Sequence, residues 1–219
     1  YGVIWWEARR GNAAQCTRSV WDTALAAGVV GLVVGRLAAM IIAGTNPITH
    51  LRDIIVIRGG VDTVWAVIGA AVAFVVLARE ETLPLADAVA PAALAGLAGW
   101  HAGCLFTESC LGTPSDLPWA FSVPGSTITR HPVEIYAALL LLSAAVAIAL
   151  WRARGRPPLG LPAGVALMIA SGVRLVTEPM RPSLGNGQLW WYAAGIVAGL
   201  AASAIAVRRA GDQPSSETR

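Results

Sequence analysis

The sequence predicts an all-α protein that crosses a membrane several times. Hydrophobic residues make up 56% of the 219-residue chain and charged residues only 13%, whereas about 25% of the residues of a soluble domain are charged. The hydrophobic residues are grouped in long runs, each near the ~20 residues that a helix needs to span a bilayer. Arginines follow the ends of these runs, and the chain contains no lysine. Together these observations exclude an ordinary soluble domain.

Six runs are long and apolar enough to be complete transmembrane helices. Alanine and glycine are abundant in all of them, which allows helix backbones to approach closely in lipid. A seventh helix is expected to end near Trp5 and Trp6 and to be truncated in this chain. We therefore expect a single transmembrane domain over residues 1–209, followed by a disordered cytoplasmic tail over residues 210–219. The six runs cover roughly residues 21–44, 60–78, 85–106, 133–151, 159–177 and 187–207.

The arginines predict how the chain is oriented, because cytoplasmic loops of membrane proteins carry the excess of positive charge. If the spans alternate in direction, one side receives most of the arginine clusters, and we assign that side to the cytoplasm. The other side receives loops 45–59, 107–132 and 178–186, and loop 107–132 is long enough to form a small lobe on the outer face. The arginines on the cytoplasmic side are Arg9, Arg10, Arg18, Arg79, Arg152, Arg154, Arg156, Arg208 and Arg209.

The outer loops hold ionisable groups that have no evident structural reason. Charged groups at membrane depth are costly and indicate a functional site, and arginines on this side go against the positive-inside rule. An anionic ligand would explain their position, and phospholipid phosphate is the obvious candidate. Nucleic acid is excluded as a partner, because the basic residues do not gather along a groove. The ionisable groups are His50, Arg52, Asp53, Arg58, Glu108, Asp116, Arg130, His131, Glu178 and Arg181.

The three cysteines provide neither a CxxC pair nor the spacing of a metal site. Cys104 and Cys110 would pair as a disulfide if their loop faced an oxidising space. We favour the alternative that they are small apolar residues packed among helices.

Two strings in the second half of the chain resemble the prolipoprotein diacylglyceryl transferases. The first is Asp116-Leu-Pro-Trp-Ala120 and the second is Arg130-His-Pro-Val-Glu-Ile-Tyr136. That bacterial membrane enzyme moves diacylglycerol from phosphatidylglycerol to the cysteine thiol of a lipoprotein precursor. Shorter matches follow in the order of the family, from about residue 20 to residue 207: Gly35-Arg36-Leu37, Ala86-Asp87-x-x-Ala90-Pro91, Arg174-Leu-Val-x-Glu178-x-x-Arg181 and Gly187-Gln188.

The chain departs from the family at positions that carry its chemistry. Arg58-Gly59-Gly60 stands where the family has His-Gly-Gly, and His101 stands where it has an arginine. Cys104 replaces an asparagine, and Ser109 replaces a glutamate, with Glu108 one residue away. Histidine and arginine are therefore exchanged between two positions of the resemblance.

The chemistry of the family assigns roles to these residues. Transfer to a thiol requires a thiolate and hence a base that works near neutral pH, which suits histidine and not arginine. The phosphate leaving group requires cations, and arginine binds phosphate through two parallel hydrogen bonds. We therefore hypothesise that His101 is the catalytic base and that Arg58 and Arg174 hold the phosphate. The resemblance implies further substrate contacts at Arg36, Gly59, Gly60, Glu108, Gly112, Asp116, Arg130, His131, Tyr136, Glu178 and Arg181.

Several of these residues also have a purely structural interpretation. His101, on a helix rich in alanine and glycine, would be satisfied by a hydrogen bond to a neighbouring helix, and Arg58 would mark a helix end. Arg174 and Glu178 are four residues apart and would pair on one helix face. Structural roles in the outer loop or at the interface are the alternatives for Asp116, His131 and Tyr136.

The sequence thus predicts a phosphatidylglycerol–prolipoprotein diacylglyceryl transferase, or a relative that uses the same lipid donor. The resemblance implies no metal or other cofactor, phosphatidylglycerol or another anionic phospholipid as donor, and a prolipoprotein signal peptide as acceptor. It also implies the bacterial cytoplasmic (inner) membrane, with the active face toward the periplasm or the cell exterior. The alternative is a homologue that has lost catalysis and serves as a lipid-binding or structural subunit of a membrane complex. A transporter is less favoured, because we find neither an internal repeat nor paired broken helices.

Overall fold

The computed structural model describes residues 2–9, 16–55, 60–106, 111–122, 125–181 and 189–212. This part of the chain consists of helices and loops, with two isolated β-bridges and no β-strand. The all-α prediction is confirmed. The α-helices in chain order are α1 (Gly2–Ala8), α2 (Val20–Ile42), α3 (Leu51–Ile55), α4 (Thr63–Ala78), α5 (Thr82–Ala102), α6 (Val133–Arg154), α7 (Leu161–Thr177) and α8 (Leu189–Gly211).

Five helical stretches in the described ranges are long and apolar enough to cross a membrane. Four of them correspond to α2, α6, α7 and α8, and the fifth contains α4 and α5. This fifth stretch has 40 residues, which at 1.5 Å per residue is about 60 Å of helix, twice the ~30 Å hydrocarbon core. Arg79, with φ of 52°, interrupts it at the end of α4. The polytopic membrane architecture is confirmed, and the six complete spans stay a prediction.

Much of the helix surface is apolar and exposed. Large hydrophobic side chains are exposed along α2, α4, α6 and α8, and Trp100 near the end of α5 is 82% exposed. Contiguous apolar surfaces of this extent are rare on soluble monomers. They are the surfaces that we expect to face lipid.

Short polar residues define where α2 and α4 begin. The Ser19 side chain accepts a hydrogen bond of 3.3 Å from the amide of Asp22, and the Asp62 carboxylate accepts one of 3.1 Å from the amide of Trp65. Each bond satisfies an amide that would otherwise be unpaired in the first helical turn.

The chain forms two compact units, one from Ala8–Leu85 and the other from Tyr1–Glu7 and Ala86–Arg219. In the first unit, α2 and α4 pack through glycines. A Cβ atom added to Gly31 would lie 2.6 Å from the carbonyl oxygen of Ala66, and one added to Gly35 would lie 2.7 Å from the carbonyl oxygen of Asp62. The small residues therefore allow the close helix approach that the composition predicts.

In the second unit, α5, α6 and α7 share an apolar core, and α8 packs against α7. A Cβ atom on Gly199 would lie 2.7 Å from the carbonyl oxygen of Gly164, so α7 and α8 also meet through small residues. The core residues are Ala90, Leu94, Ala98, Ala137, Leu141, Ala145, Ile148, Ala166 and Val173.

Asp87 fixes α5 against the start of α7. Its buried carboxylate accepts hydrogen bonds from the amides of Gly160 at 2.7 Å and Ala163 at 2.9 Å. It therefore caps the N-terminus of a helix that is far away in sequence. The string Ala86-Asp87-x-x-Ala90-Pro91 thus has a structural function here.

Candidate active site

A buried histidine–carboxylate pair lies where α5 ends and α6 begins. His101 is 7% exposed and Glu134 is 8% exposed. Nδ1 of His101 is hydrogen-bonded to Oε2 of Glu134. An ionised carboxylate can only accept hydrogen bonds, so the imidazole donates from Nδ1. The other ring nitrogen, Nε2, is then the basic one.

Two arginines extend this pair into a network of alternating charges. Nε of Arg181 lies 3.0 Å from Oε1 of Glu134, and Nη1 of Arg181 lies 3.5 Å from Oε1 of Glu178. Nη2 of Arg174 donates to Oε2 of Glu178 at 2.7 Å and to the hydroxyl of Tyr192 at 3.3 Å. The ends of α5 and α7 and the starts of α6 and α8 all contribute to this network, so it lies at one end of the second unit.

The two arginines are more accessible than the histidine and the two glutamates of the network. The side chain of Arg174 is 20% exposed and that of Arg181 is 41% exposed. A guanidinium group carries five N–H donors, and the hydrogen bonds of Arg174 within the described ranges use Nη2 alone, while its Cζ lies 5.5 Å from the centroid of the Tyr192 ring. Both arginines can therefore offer further hydrogen bonds to an anion.

The lobe of residues 111–122 and 125–132 is attached to the end of α7 and the start of α6. The Gly112 amide donates to the carbonyl of His131 at 2.7 Å, and the Thr113 amide donates to the carbonyl of Met180 at 2.8 Å. Arg130 exchanges backbone hydrogen bonds with Phe121, and its side chain donates from Nη1 to the carbonyl of Gly112 at 3.2 Å. Arg130 and Gly112 thus hold the lobe together.

The two strings that carry the family resemblance meet in an aromatic cluster. Nε1 of Trp119 donates to the hydroxyl of Tyr136 at 2.7 Å. The His131 ring lies edge-on to Tyr136, with Nδ1 3.5 Å from the same hydroxyl. Asp116 is exposed. The turn that follows is stabilised by its neighbour Ser115, whose hydroxyl accepts a hydrogen bond of 3.3 Å from the Leu117 amide.

Arg36 and Gly60 belong to the first unit. The buried guanidinium of Arg36 donates from Nε to the carbonyl of Asp53 and from Nη1 to the carbonyl of Gly60, both at 2.8 Å. Arg36 thereby orders the segments on both sides of residues 56–59. A substrate contact at Arg36 or Gly60 stays a prediction.

Three predicted site residues lie outside the described part of the chain: Arg58, Gly59 and Glu108. The same holds for Ser109, Cys110, Gly187 and Gln188. Within the described ranges, no group of three or more histidine, cysteine and acidic side chains could hold a metal ion.

The structure contradicts our interpretation of Cys104 as a small apolar residue packed among helices. It is disulfide-bonded rather than a thiol packed among helices, so that preference was wrong for this residue. Cys104 belongs to the 3₁₀ turn Gly103–Phe106 that follows α5. A residue where the chain leaves its helix can reach a second cysteine more easily than one on a helix face.

Sequence reasoning missed two members of the network, Glu134 and Tyr192. Glu134 carried a usable signal, because an acid in the first turn of a predicted membrane span is costly unless it has a partner. Tyr192 follows two tryptophans at the start of α8, so the sequence alone indicates only another aromatic residue at the membrane interface.

Comparisons with known proteins give a consistent result. The sequence profile of the prolipoprotein diacylglyceryl transferase family matches residues 1–208. A phosphatidylglycerol–prolipoprotein diacylglyceryl transferase of Allorhizobium ampelinum is 31% identical over 154 residues, which cover 63% of this chain and 54% of the relative. The protein of that name from Cupriavidus pinatubonensis is 31% identical over 166 residues, or 72% of this chain and 60% of the relative. The phosphatidylglycerol–prolipoprotein diacylglyceryl transferase 2 of Streptomyces coelicolor is 31% identical over 206 residues, which cover 83% of this chain and 62% of the relative. The chain thus spans a little over half the length of these curated relatives.

Proposed function

Because the chain belongs to the prolipoprotein diacylglyceryl transferase family, we propose that it transfers the diacylglyceryl group of phosphatidylglycerol to the lipobox cysteine of a prolipoprotein. The names of the relatives state this donor and this type of acceptor for those proteins. In this chain one observation carries the proposal. A buried histidine–carboxylate pair is joined to two partly accessible arginines at one end of α5 to α8.

The proposed reaction replaces a carbon–oxygen bond with a carbon–sulfur bond. The cysteine sulfur bonds to the glyceryl carbon that carries the phosphate, the bond from that carbon to the phosphate oxygen breaks, and glycerol phosphate leaves with the electron pair. The thiolate is the nucleophile, so the thiol must first lose its proton. We assign this proton to Nε2 of His101, which acts as general base.

Arg174 and Arg181 supply positive charge where the leaving phosphate gains negative charge. A guanidinium group matches a phosphate with two parallel hydrogen bonds, and charges that are already in place lower the barrier without reorganisation. Glu178 contacts both arginines and fixes their positions. Arg58, outside the described residues, remains a proposed third phosphate contact.

The lobe is proposed to contact the polar part of the lipid. Trp119 and Tyr136 are aromatic residues of the type that concentrates where membrane meets water, and Trp119 is largely exposed. His131 lies edge-on to Tyr136, Arg130 precedes it in the chain, and both side chains suit a glycerol or phosphate oxygen. Asp116, which is exposed, completes this surface in the proposal, whereas Gly112 is buried and holds the lobe in place through its backbone hydrogen bonds.

We propose that the network faces the periplasm or the cell exterior, in the cytoplasmic membrane of a bacterium. The excess of arginine at the other ends of the spans supports this orientation. The disulfide of Cys104 supports it as well, since disulfides persist in oxidising compartments and this residue follows the helix end that carries His101.

Replacement of the transferase in a bacterial depletion strain tests the proposed function. The wild-type chain should restore growth and lipoprotein modification, and His101→Ala should not. Glu80→Gln is the matched control at an exposed position and should restore growth as the wild type does. If the wild-type chain reaches the membrane but restores nothing, the structural-subunit alternative is favoured. If His101→Ala restores full activity, His101 is not the base.

A further inference from the structure

We propose that Glu134 is a positioning residue for His101, an inference that rests on the proposed function. Oε2 of Glu134 is hydrogen-bonded to Nδ1 of His101, and Oε1 of Glu134 lies 3.0 Å from Nε of Arg181. Both residues of the pair are buried. The carboxylate therefore fixes which imidazole nitrogen carries the proton and how the ring is oriented.

The contacts of Glu134 distinguish this role from helix capping. An acid in the first turn of a helix is commonly stabilised by the helix dipole or by a bond to a backbone amide of that turn. Within the described residues, the carboxylate of Glu134 instead contacts two side chains from outside α6, those of His101 and Arg181. Its position is thus explained by its side-chain partners.

The pair performs two tasks during proton transfer. Before the reaction, the bond to Nδ1–H leaves Nε2 as the acceptor for the thiol proton. After transfer, the imidazole carries a positive charge, and the carboxylate beside it stabilises that charge, as a triad aspartate does for its histidine. Arg181 balances the charge of Glu134, and Glu178 and Arg174 continue the alternation beyond it.

Steady-state kinetics with the purified full chain, phosphatidylglycerol micelles and a lipobox peptide tests the catalytic part. Glu134→Gln keeps the size of the side chain and removes its charge. We expect kcat to fall about 100-fold, within the range that acid–base catalysis contributes, with little change in KM for the lipid. The exposed control Glu80→Gln should keep the wild-type kcat.

A double-mutant cycle separates positioning from a merely structural role. If Glu134 acts through His101, Glu134→Gln should cost almost nothing in a His101→Ala background, because effects of residues that act as a unit are not additive. An equal factor in both backgrounds overturns the inference, as does a wild-type kcat in the single variant.

Nitrogen NMR of the histidines gives a readout that needs neither activity nor a folded variant at position 134. The chain has three histidines, and His101→Ala identifies the signals of His101. The wild-type protein, labelled with ¹⁵N-histidine, should show His101 protonated at Nδ1 and unprotonated at Nε2. An active wild type whose His101 is protonated at Nε2 alone overturns this inference and the assignment of Nε2 as the base, and leaves the proposed diacylglyceryl transfer intact. A wild type that transfers no diacylglyceryl group overturns the proposed function and this role with it.

Discussion

Gly112 lies where the lobe is packed tightly against the start of α6 and the turn that follows α7. A Cβ atom at this position would lie 2.3 Å from Cγ2 of Val133 and 2.4 Å from the carbonyl oxygen of Met180. The second of these is a backbone atom, which cannot move away by a change of rotamer. The resemblance implies a substrate contact at Gly112, and the structure adds a steric reason for the absence of a side chain there.

Gly112→Ala should therefore destabilise the protein by about 1–3 kcal/mol, the usual cost of overpacking, and lower the transfer rate by displacing Arg130 and His131. Thermal unfolding of the purified protein in lipid nanodiscs measures the first effect. Gly96→Ala is the control, because nothing lies within 4 Å of a Cβ there and alanine favours a helix. Equal unfolding temperatures for the two variants would contradict the steric role.

The sequence was sufficient to identify His101 as a site residue but not to identify its partner, Glu134. Polar residues in apolar runs stand out by composition, and His101 was predicted as the base from the chemistry that the family resemblance implies. Glu134 lies 33 residues away, and the two meet only because α5 and α6 pack in one rotational setting. Helices that are hydrophobic all round carry little information about that setting.

The helices α7 and α8 are held together by small residues, and this contact positions part of the network. A Cβ on Gly199 would lie 2.7 Å from both the carbonyl oxygen of Gly164 and the amide nitrogen of Met168. Lipid provides no hydrophobic force between helices, so close backbone packing has to supply the attraction. The bond from Arg174 to Tyr192 spans the same pair of helices.

Gly199→Ala should separate α7 from α8, lower the unfolding temperature and weaken transfer through Arg174. Gly172→Ala, in α7, is the matched control, since nothing lies within 4 Å of its Cβ. Thermal unfolding and the transfer rate of both variants are the measurements. A Gly199→Ala protein as stable and active as Gly172→Ala would show that close packing at this point is dispensable.

Helix positions were predictable from hydropathy at the scale of elements. The predicted run 133–151 corresponds to α6 and the run 159–177 to α7, with ends that differ by a few residues. The last predicted residues of run 85–106 instead form the 3₁₀ turn that carries Cys104. Hydropathy continues through that turn because its residues are apolar, whereas the helix itself stops at Ala102.

The whole molecule combines a family scaffold with a site whose residues depart from the family resemblance. The string around Asp87 serves helix capping and Gly112 serves close packing, and these needs are the same whatever reaction the protein performs. His101 stands where the family has an arginine. The sequence left two interpretations of this change: His101 is the catalytic base, or the protein is inactive. The carboxylate beside His101 favours the catalytic base, because a buried histidine that is oriented through Nδ1 is equipped to accept a proton.

Transfer by the purified wild-type chain tests the central claim most directly. The protein is incubated with phosphatidylglycerol and a lipobox peptide, and the mass of the peptide is measured. The account predicts a gain of one diacylglyceryl group on the cysteine, equimolar release of glycerol phosphate, and a rate at least about 100-fold lower for His101→Ala. An unmodified peptide with folded, lipid-embedded protein, or equal rates for the two proteins, would contradict it.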